Sequence, residues 1–219
     1  MGRSIALVDG SDENEVEQSR LAGEEGAAIF DSTGNRVVRN TVDGGSEALA
    51  LAGARGTLIA RNTLTSSGNG AITIVMHSDS DENVIQDNAM PSNGMLIRGD
   101  RNRIERNDVQ GRFAFLDQSV IEILSGDANV VVSNRARGGA DDIAVRSGAL
   151  GTLIRGNVVV DALDDGIDVD APGTVVRANT ANDNGDLGIE AVEGVIDGGG
   201  NRASGNGNPS SASTWAATE

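Results

Sequence analysis

The chain has 219 residues, 33 of them acidic against 17 basic, for a net charge of −16. That balance works against binding nucleic acid or an anionic membrane, and the absence of cysteine removes disulfides and thiolate chemistry. No run of 18 apolar residues offers a transmembrane helix, and an aromatic set of three Phe and one Trp argues against a long sugar groove lined with rings.

The opening residues, Met1 to Gly10, lack the apolar core of a signal peptide. Ile5, Leu7 and Val16 already read as inward-facing strand positions. The chain is therefore expected to enter a repeat at once, without an N-terminal cap, as a fragment of an extracellular or cell-surface protein whose leader lies outside this stretch. Uncapped coils would favour end-to-end self-association.

From Ser19 a position recurs about every 23 residues: Asn40, Asn62, Asn88, Asn107, Asn134, Asn157, Asn179 and Asn206. An aliphatic stands three residues before most of them, as in Val37, Ile59, Ile85 and Ile104. A period of this size means stacked identical units. Between the asparagines the apolar residues alternate, as in Leu49/Leu51, Ile72/Ile74, Ile121/Ile123, Ile143/Val145 and Ile167/Val169. Alternation over short runs reads as strand, and Gly44-Gly45, Gly138-Gly139 and Asp183-Asn184-Gly185 read as turns. The expected fold is all-β, a solenoid of parallel strands with about eight to nine coils. It should occupy residues 1–209 as a single domain, followed by a polar tail over 210–219. The asparagines should stack into an amide ladder, taking the left-handed backbone that tight corners need.

Two coils carry extra residues. Coil three extends Val75 to Asn83 and holds His77, the sole histidine. The other inserts Gln110 to Val120, where Phe113 and Phe115 are expected to form a platform for a sugar. The short coil between them would be the floor of a cleft.

Outward positions of one strand file read Ala50, Thr73, Leu96, Glu122, Ala144, Asp168 and Glu190. The preceding turns add Asp141, Asp142, Asp164, Asp165 and Asp186. Coils five to eight should thus present a carboxylate cluster. Paired carboxylates serve acid–base cleavage of glycosides, so Asp142, Asp165 and Asp168 are the foremost catalytic candidates, with Asp141 and Glu122 beside them. Arg98 and Arg146 follow strands and would contact substrate. Asp164, Asp186 and Glu190 are candidate ligands for calcium, a cation that prefers several oxygens; no other cofactor is expected.

The units Gly151 to Pro172 and Gly173 to Gly194 resemble right-handed parallel β-helix repeats of the pectate-lyase-like superfamily, and Gly200 to Pro209 is similar to the last coil of its bacterial members. The resemblance runs over roughly residues 4 to 209. It implies a right-handed helix and, for an enzyme, a polysaccharide lyase or glycoside hydrolase. Gly139 to Gly148 is similar to the paired-aspartate segment of polygalacturonase-type hydrolases, which implies acid–base roles for Asp141 and Asp142. The Gly-His-Gly and Arg-Ile-Lys motifs of that family are missing, as are the tyrosine and Asp-Pro-His signature of uronate epimerases. Copper-site accessory proteins share the repeat, and Met76-His77 is the nucleus this chain would offer. The functional expectation is a module that binds or processes a polysaccharide through its acidic face; the alternative is a structural or adhesive scaffold without catalysis.

Overall fold

The computed structural model describes residues 2–68, 70–111 and 118–208, and every regular element among them is a β-strand. The strands stack in three parallel files, each forming one face of a prism. The first face begins at Arg3–Leu7 and continues through the later parts of Arg20–Phe30 and Thr41–Ala52. It then runs from Ile74–Met76 to Ile189–Ala191. The second face is a nine-stranded sheet from Glu15–Glu17 to Ile196–Asp197. The third face starts with the early parts of the two long strands and ends at Arg202–Ser204. A coil counted as second, third, then first face gives nine coils, the last ending on the third face. This is a right-handed parallel β-helix of the pectate-lyase type.

Alternation explains the prism. Each short strand turns its middle or flanking aliphatics inward and its other side chains outward. Ile104, Val109, Ile121 and Ile123 of coil five are all 0% exposed, and each such side chain contributes about 1.5–3 kcal/mol by leaving water. In coils one and two the third and first faces are continuous, as strands of 11 and 12 residues with a bulge between Gly23 and Glu25. From coil three onward a turn separates them.

The corner between the second and third faces carries a file of buried asparagines. Each backbone N–H donates to the side-chain oxygen of the next: Asn40 to Asn62, Asn62 to Asn88, and Asn88 to Asn107, at 2.8 to 3.0 Å. Each side-chain amide also donates to a carbonyl of the coil before, as Asn88 Nδ2 does to Ile59 at 3.0 Å.

Three details differ from the sequence reading. The left-handed residue at this corner is the one before the asparagine: Arg39, Arg61, Asp87, Arg106, Ser133 and Ala178 have φ between 52° and 57°. The asparagine keeps ordinary backbone because its amide must aim along the stack. In coil nine the file continues to Asn201, which accepts from Asn179 N at 3.0 Å, whereas Asn206 accepts from Asn184 at the next corner. Ala203 accordingly pairs with Ala181 rather than with Val176. In coil three the strand is Ile74–Met76, with Val75 opposite Ala50. Thr73 therefore leaves the outward file and is buried in the preceding turn. The extra turn residues push the strand on by two, which preserves alternation and so hides in the sequence.

Candidate active site

Coils five to eight assemble the acidic face. Across neighbouring coils, Glu122 pairs with Ala144, Ala144 with Asp168, and Asp168 with Glu190. Ala144 is the small member of this file. Two residues further along Ile143–Gly148 stands Arg146, also outward. With only a methyl group beneath it, the Arg146 guanidinium bridges the coils on either side.

Arg146 is the hub of the site. Its Nε donates to Glu122 Oε1 at 3.1 Å and its Nη2 to Asp141 Oδ2 at 3.3 Å and Ser119 Oγ at 3.2 Å. Its Nη1 donates to Asp168 and to Asp170 Oδ2, the latter at 3.4 Å. The Ser119 hydroxyl donates to Asp141 Oδ2 at 3.1 Å. Burial works to lower the Arg146 pKa, but the bond to Glu122 and the charges of Asp168 and Asp141 outweigh it and hold the guanidinium charged. Burial pushes Asp168 up to about 6, aided by the charges of Asp141 and Asp170 and opposed by Arg146.

Asp165 lies one coil beyond Asp141. Gly166 follows it, and a Cβ there would stand 2.5 Å from Asn184 Nδ2 and 2.7 Å from Gly188 O, so only glycine lets the coils seat closely enough to bury this turn. Burial raises the Asp165 carboxyl well above the carboxylate range, and hydrogen bonding with Glu190 raises it further. The Leu187 amide, donating to Oδ1 at 2.7 Å, opposes this. Carboxylate oxygens of Asp141, Asp164 and Asp165 all lie within 4.8 Å of one another.

Glu122, Asp141, Asp164, Asp165, Asp168 and Arg146 converge here, and Asp142, Asp186 and Arg98 do not. Asp142 is 0% exposed and faces inward, accepting from Gly139 N at 3.2 Å and Val160 N at 2.9 Å. Its carboxyl turns into the stack to meet those amides, so its place in the outer cluster is corrected: it is a buried staple between coils, its pKa raised to about 7 by burial. Of the cation candidates, Asp164 joins Asp141 and Asp165, while Asp186 and Glu190 fall outside that close set. Arg98 stands on the same face beyond Ile97, near the short coil, and forms no ion pair among the described residues. Phe113 and Phe115 lie outside the described residues. The sequence reading missed Ser119 and Asp170. Asp170 was within reach of the alternation, two residues after Asp168; Ser119 sits in an insertion, where the period gives no guidance. Beside the hub, a shallow depression of about 20 Å³ is lined by Leu96, Gln118, Ser119 and Glu122 among others.

The raised carboxyls fix a pH dependence. An unfolded Asp titrates near 3.9. A group raised in the fold stabilises it fully below that value and stops doing so as pH climbs through the folded value, here about 7 for Asp142 and about 6 for Asp168. The melting temperature is expected to fall between about pH 5 and about pH 8. A melting temperature that rises over that interval in calorimetry would contradict the buried placement.

The chain belongs to the right-handed β-helix family: the family described as "right handed beta helix region" matches residues 80–218. Residues 2–114 also match the family described as "periplasmic copper-binding protein (NosD)". No curated protein matches the chain. Among solved structures it is similar to the periplasmic alginate epimerase AlgG, with 16% identity, TM-score 0.63, and coverage of 88% of this chain and 49% of that one. It is also similar to a DFA-IIIase from Arthrobacter chlorophenolicus A6 without its lid, with 17% identity, TM-score 0.64, and coverage of 94% and 55%. A third likeness is an endo-xylogalacturonan hydrolase from Aspergillus tubingensis, with 8% identity, TM-score 0.50, and coverage of 98% and 88%. The chain thus spans about half the length of the first two. These likenesses establish the fold.

Copper does not fit the described residues. Copper favours His, Met and Cys. Met76, Met90 and Met95 are all buried in the core, and His77 is exposed on the opposite side of its strand from Met76. With no cysteine, no two soft ligands converge.

Proposed function

We propose that this protein acts on a polysaccharide at the Arg146 cluster, by acid–base cleavage of a glycosidic bond. The observation that carries the reading is geometric: carboxylate oxygens of Asp141 and Asp165 lie within 4.8 Å of each other, Asp165 with its pKa raised by burial and by hydrogen bonding with Glu190, and Asp141 accepting from Arg146 and Ser119. A carboxyl raised by burial suits the role of general acid. Asp165 gives its proton to the leaving oxygen; Asp141, held by Arg146 and Ser119, acts on the anomeric carbon. The close approach suits the roughly 5 Å pair of retaining glycosidases better than the wider inverting pair. Glu122 and Asp168 hold Arg146 in place. Phe113 and Phe115 remain the proposed sugar platform and Arg98 a substrate contact. The site works outside the cytoplasm, a location that the periplasmic relatives support.

Asp141→Asn and Asp165→Asn are expected to cut turnover on a cleaved polysaccharide by about 10²-fold or more, as loss of a general acid or base does. Activity would be read as reducing ends and as unsaturated product. Turnover unchanged in Asp141→Asn rejects the site. A calcium ion would take Asp141, Asp164 and Asp165, and a calcium-dependent rise in melting temperature would reveal it.

The second reading is a scaffold without catalysis. The shallowness of the depression beside Arg146 favours it, as does the use of Arg146 to neutralise the carboxylates around it. A glycan array and an activity screen, both blank, would select the scaffold.

A further inference from the structure

The far side of the same coils has the opposite charge. In a chain with 33 acidic residues, the strands of the second and third faces over coils six to nine carry one carboxylate, Asp197 of the last coil, which accepts from Gly199 N and Asn201 Nδ2. Their other charged residues are arginines. Arg155 and Arg177 are register partners on the second face. Arg135 and Arg202 stand on the third face, just past the asparagine corner. All four are exposed, and among the described residues none forms an ion pair. Other arginines of these faces are mostly paired: Arg36 with Glu15, Arg103 with Glu105, and Arg137 of coil six with Asp108, while Arg20 of coil one forms no ion pair among the described residues. Carboxylates reappear at coil five, as Glu105 and Asp108.

An exposed arginine without a counter-charge keeps its planar fork of donors free for a carboxylate or sulfate. Here the forks follow a straight edge, with Arg155 and Arg177 one coil apart, about 4.8 Å. A compact anion needs no such line; a polymer with regularly repeated charges does. Between the arginines stand apolar side chains, including Val158 at 37% and Ile196 at 51% exposure. Such side chains can cover the C–H faces of sugar rings. The acidic first face repels an anion, so local potential directs it to this corner despite the net charge of −16.

We propose that the corner between the second and third faces, over coils six to nine, binds a linear anionic polysaccharide lying along the helix axis. The site is separate from the Arg146 cluster and stands whether or not that cluster is catalytic. It would hold an acidic glycan by its backbone of charges.

The test is fluorescence anisotropy with a labelled oligogalacturonate in EDTA, which removes bridging cations. Wild-type protein should bind it, lose affinity steeply as salt rises, and ignore a neutral dextran oligomer of equal length. The double variant Arg155→Gln/Arg177→Gln should bind at least tenfold more weakly with an unchanged melting temperature. Glu47→Gln, on the first face in coil two and outside the Arg146 cluster, should bind no more weakly than wild type. Equal affinity in the double variant overturns the proposal, as does absence of wild-type binding. Tighter binding of single-stranded DNA of matched charge would overturn it in favour of a nucleic-acid site. Full-length protein serves throughout, and a sulfated oligosaccharide arm distinguishes carboxylate from sulfate as the recognised group: tighter binding of either supports the site.

Discussion

Arg146→Met is expected to be the most damaging single change on the acidic face. Methionine roughly keeps the length of the side chain and removes its charge. Glu122, Asp141, Asp168 and Asp170 then face one another without the cation that each now contacts. Removing one partner from a buried ion pair costs about 3–5 kcal/mol. The Arg146 side chain is 28% exposed, so part of the charge is met by water, and about 2–3 kcal/mol is the appropriate discount. The loss should depend on pH. Below about pH 5 Asp168, raised by burial to about 6, takes up its proton and the variant should move toward wild type; at pH 8 the gap should be widest. Chemical denaturation at both pH values measures it. A gap of the same size at pH 5 and pH 8 would show that the damage is packing and not charge. Any catalytic activity should vanish with the cation, because Asp141 loses the Arg146 donor that positions it.

Asn107→Ala should damage the interior to a comparable or greater extent. The Asn107 side chain donates to Ile85 O at 2.9 Å and to Asn134 Oδ1 at 3.0 Å, and it accepts from Asn88 N at 3.0 Å. It is 2% exposed. Alanine removes these partners from Ile85 O and Asn88 N, at about 1–3 kcal/mol each, while Asn134 Oδ1 keeps the Asn107 backbone N–H; a total loss of about 2–6 kcal/mol follows. Aspartate is no rescue, since it cannot donate to Ile85 and adds a buried charge. Asn201→Ala, half-buried in the last coil, should cost less because water can replace its bonds. Urea denaturation of the three variants gives the comparison. A loss below about 1 kcal/mol at Asn107 would mean that the stack does not rely on these amides.

The fold was legible because one packing rule repeats. An asparagine with an aliphatic three residues earlier marks the same corner in successive coils, and parallel stacking is what brings such positions together. The rule fails where two registers satisfy it equally. Ile72/Ile74 and Ile74/Met76 both alternate, and turn length alone decides between them. In coil nine, Asn201 and Asn206 each fit a corner, and each does occupy one. The acidic face was legible in outline because outward positions follow from alternation. Its organisation was not. Asp141 and Asp142 are neighbours in a turn, where alternation gives no answer, and the structure sends one out to Arg146 and one in to Val160. That a single arginine gathers side chains from three successive coils follows from Ala144 being small enough to let it cross, a matter of shape rather than pattern. The bare arginines of the far side were visible as residues, but their lack of partners appears only when the faces are assembled.

The two long strands of coils one and two have an engineering consequence. Where Thr41–Ala52 runs from one face to the next without a break, the prism has no corner from which a loop can be hung. Grafted peptides or affinity tags placed there would have to interrupt a continuous ladder of backbone bonds on both sides. From coil three onward the same edge is already a turn, and the chain accommodates 14 steps there between Asn107 and Ile121 against nine between Asn40 and Leu49. Tolerance to insertion should therefore change abruptly along the axis, low in the first two rungs and high in those that follow.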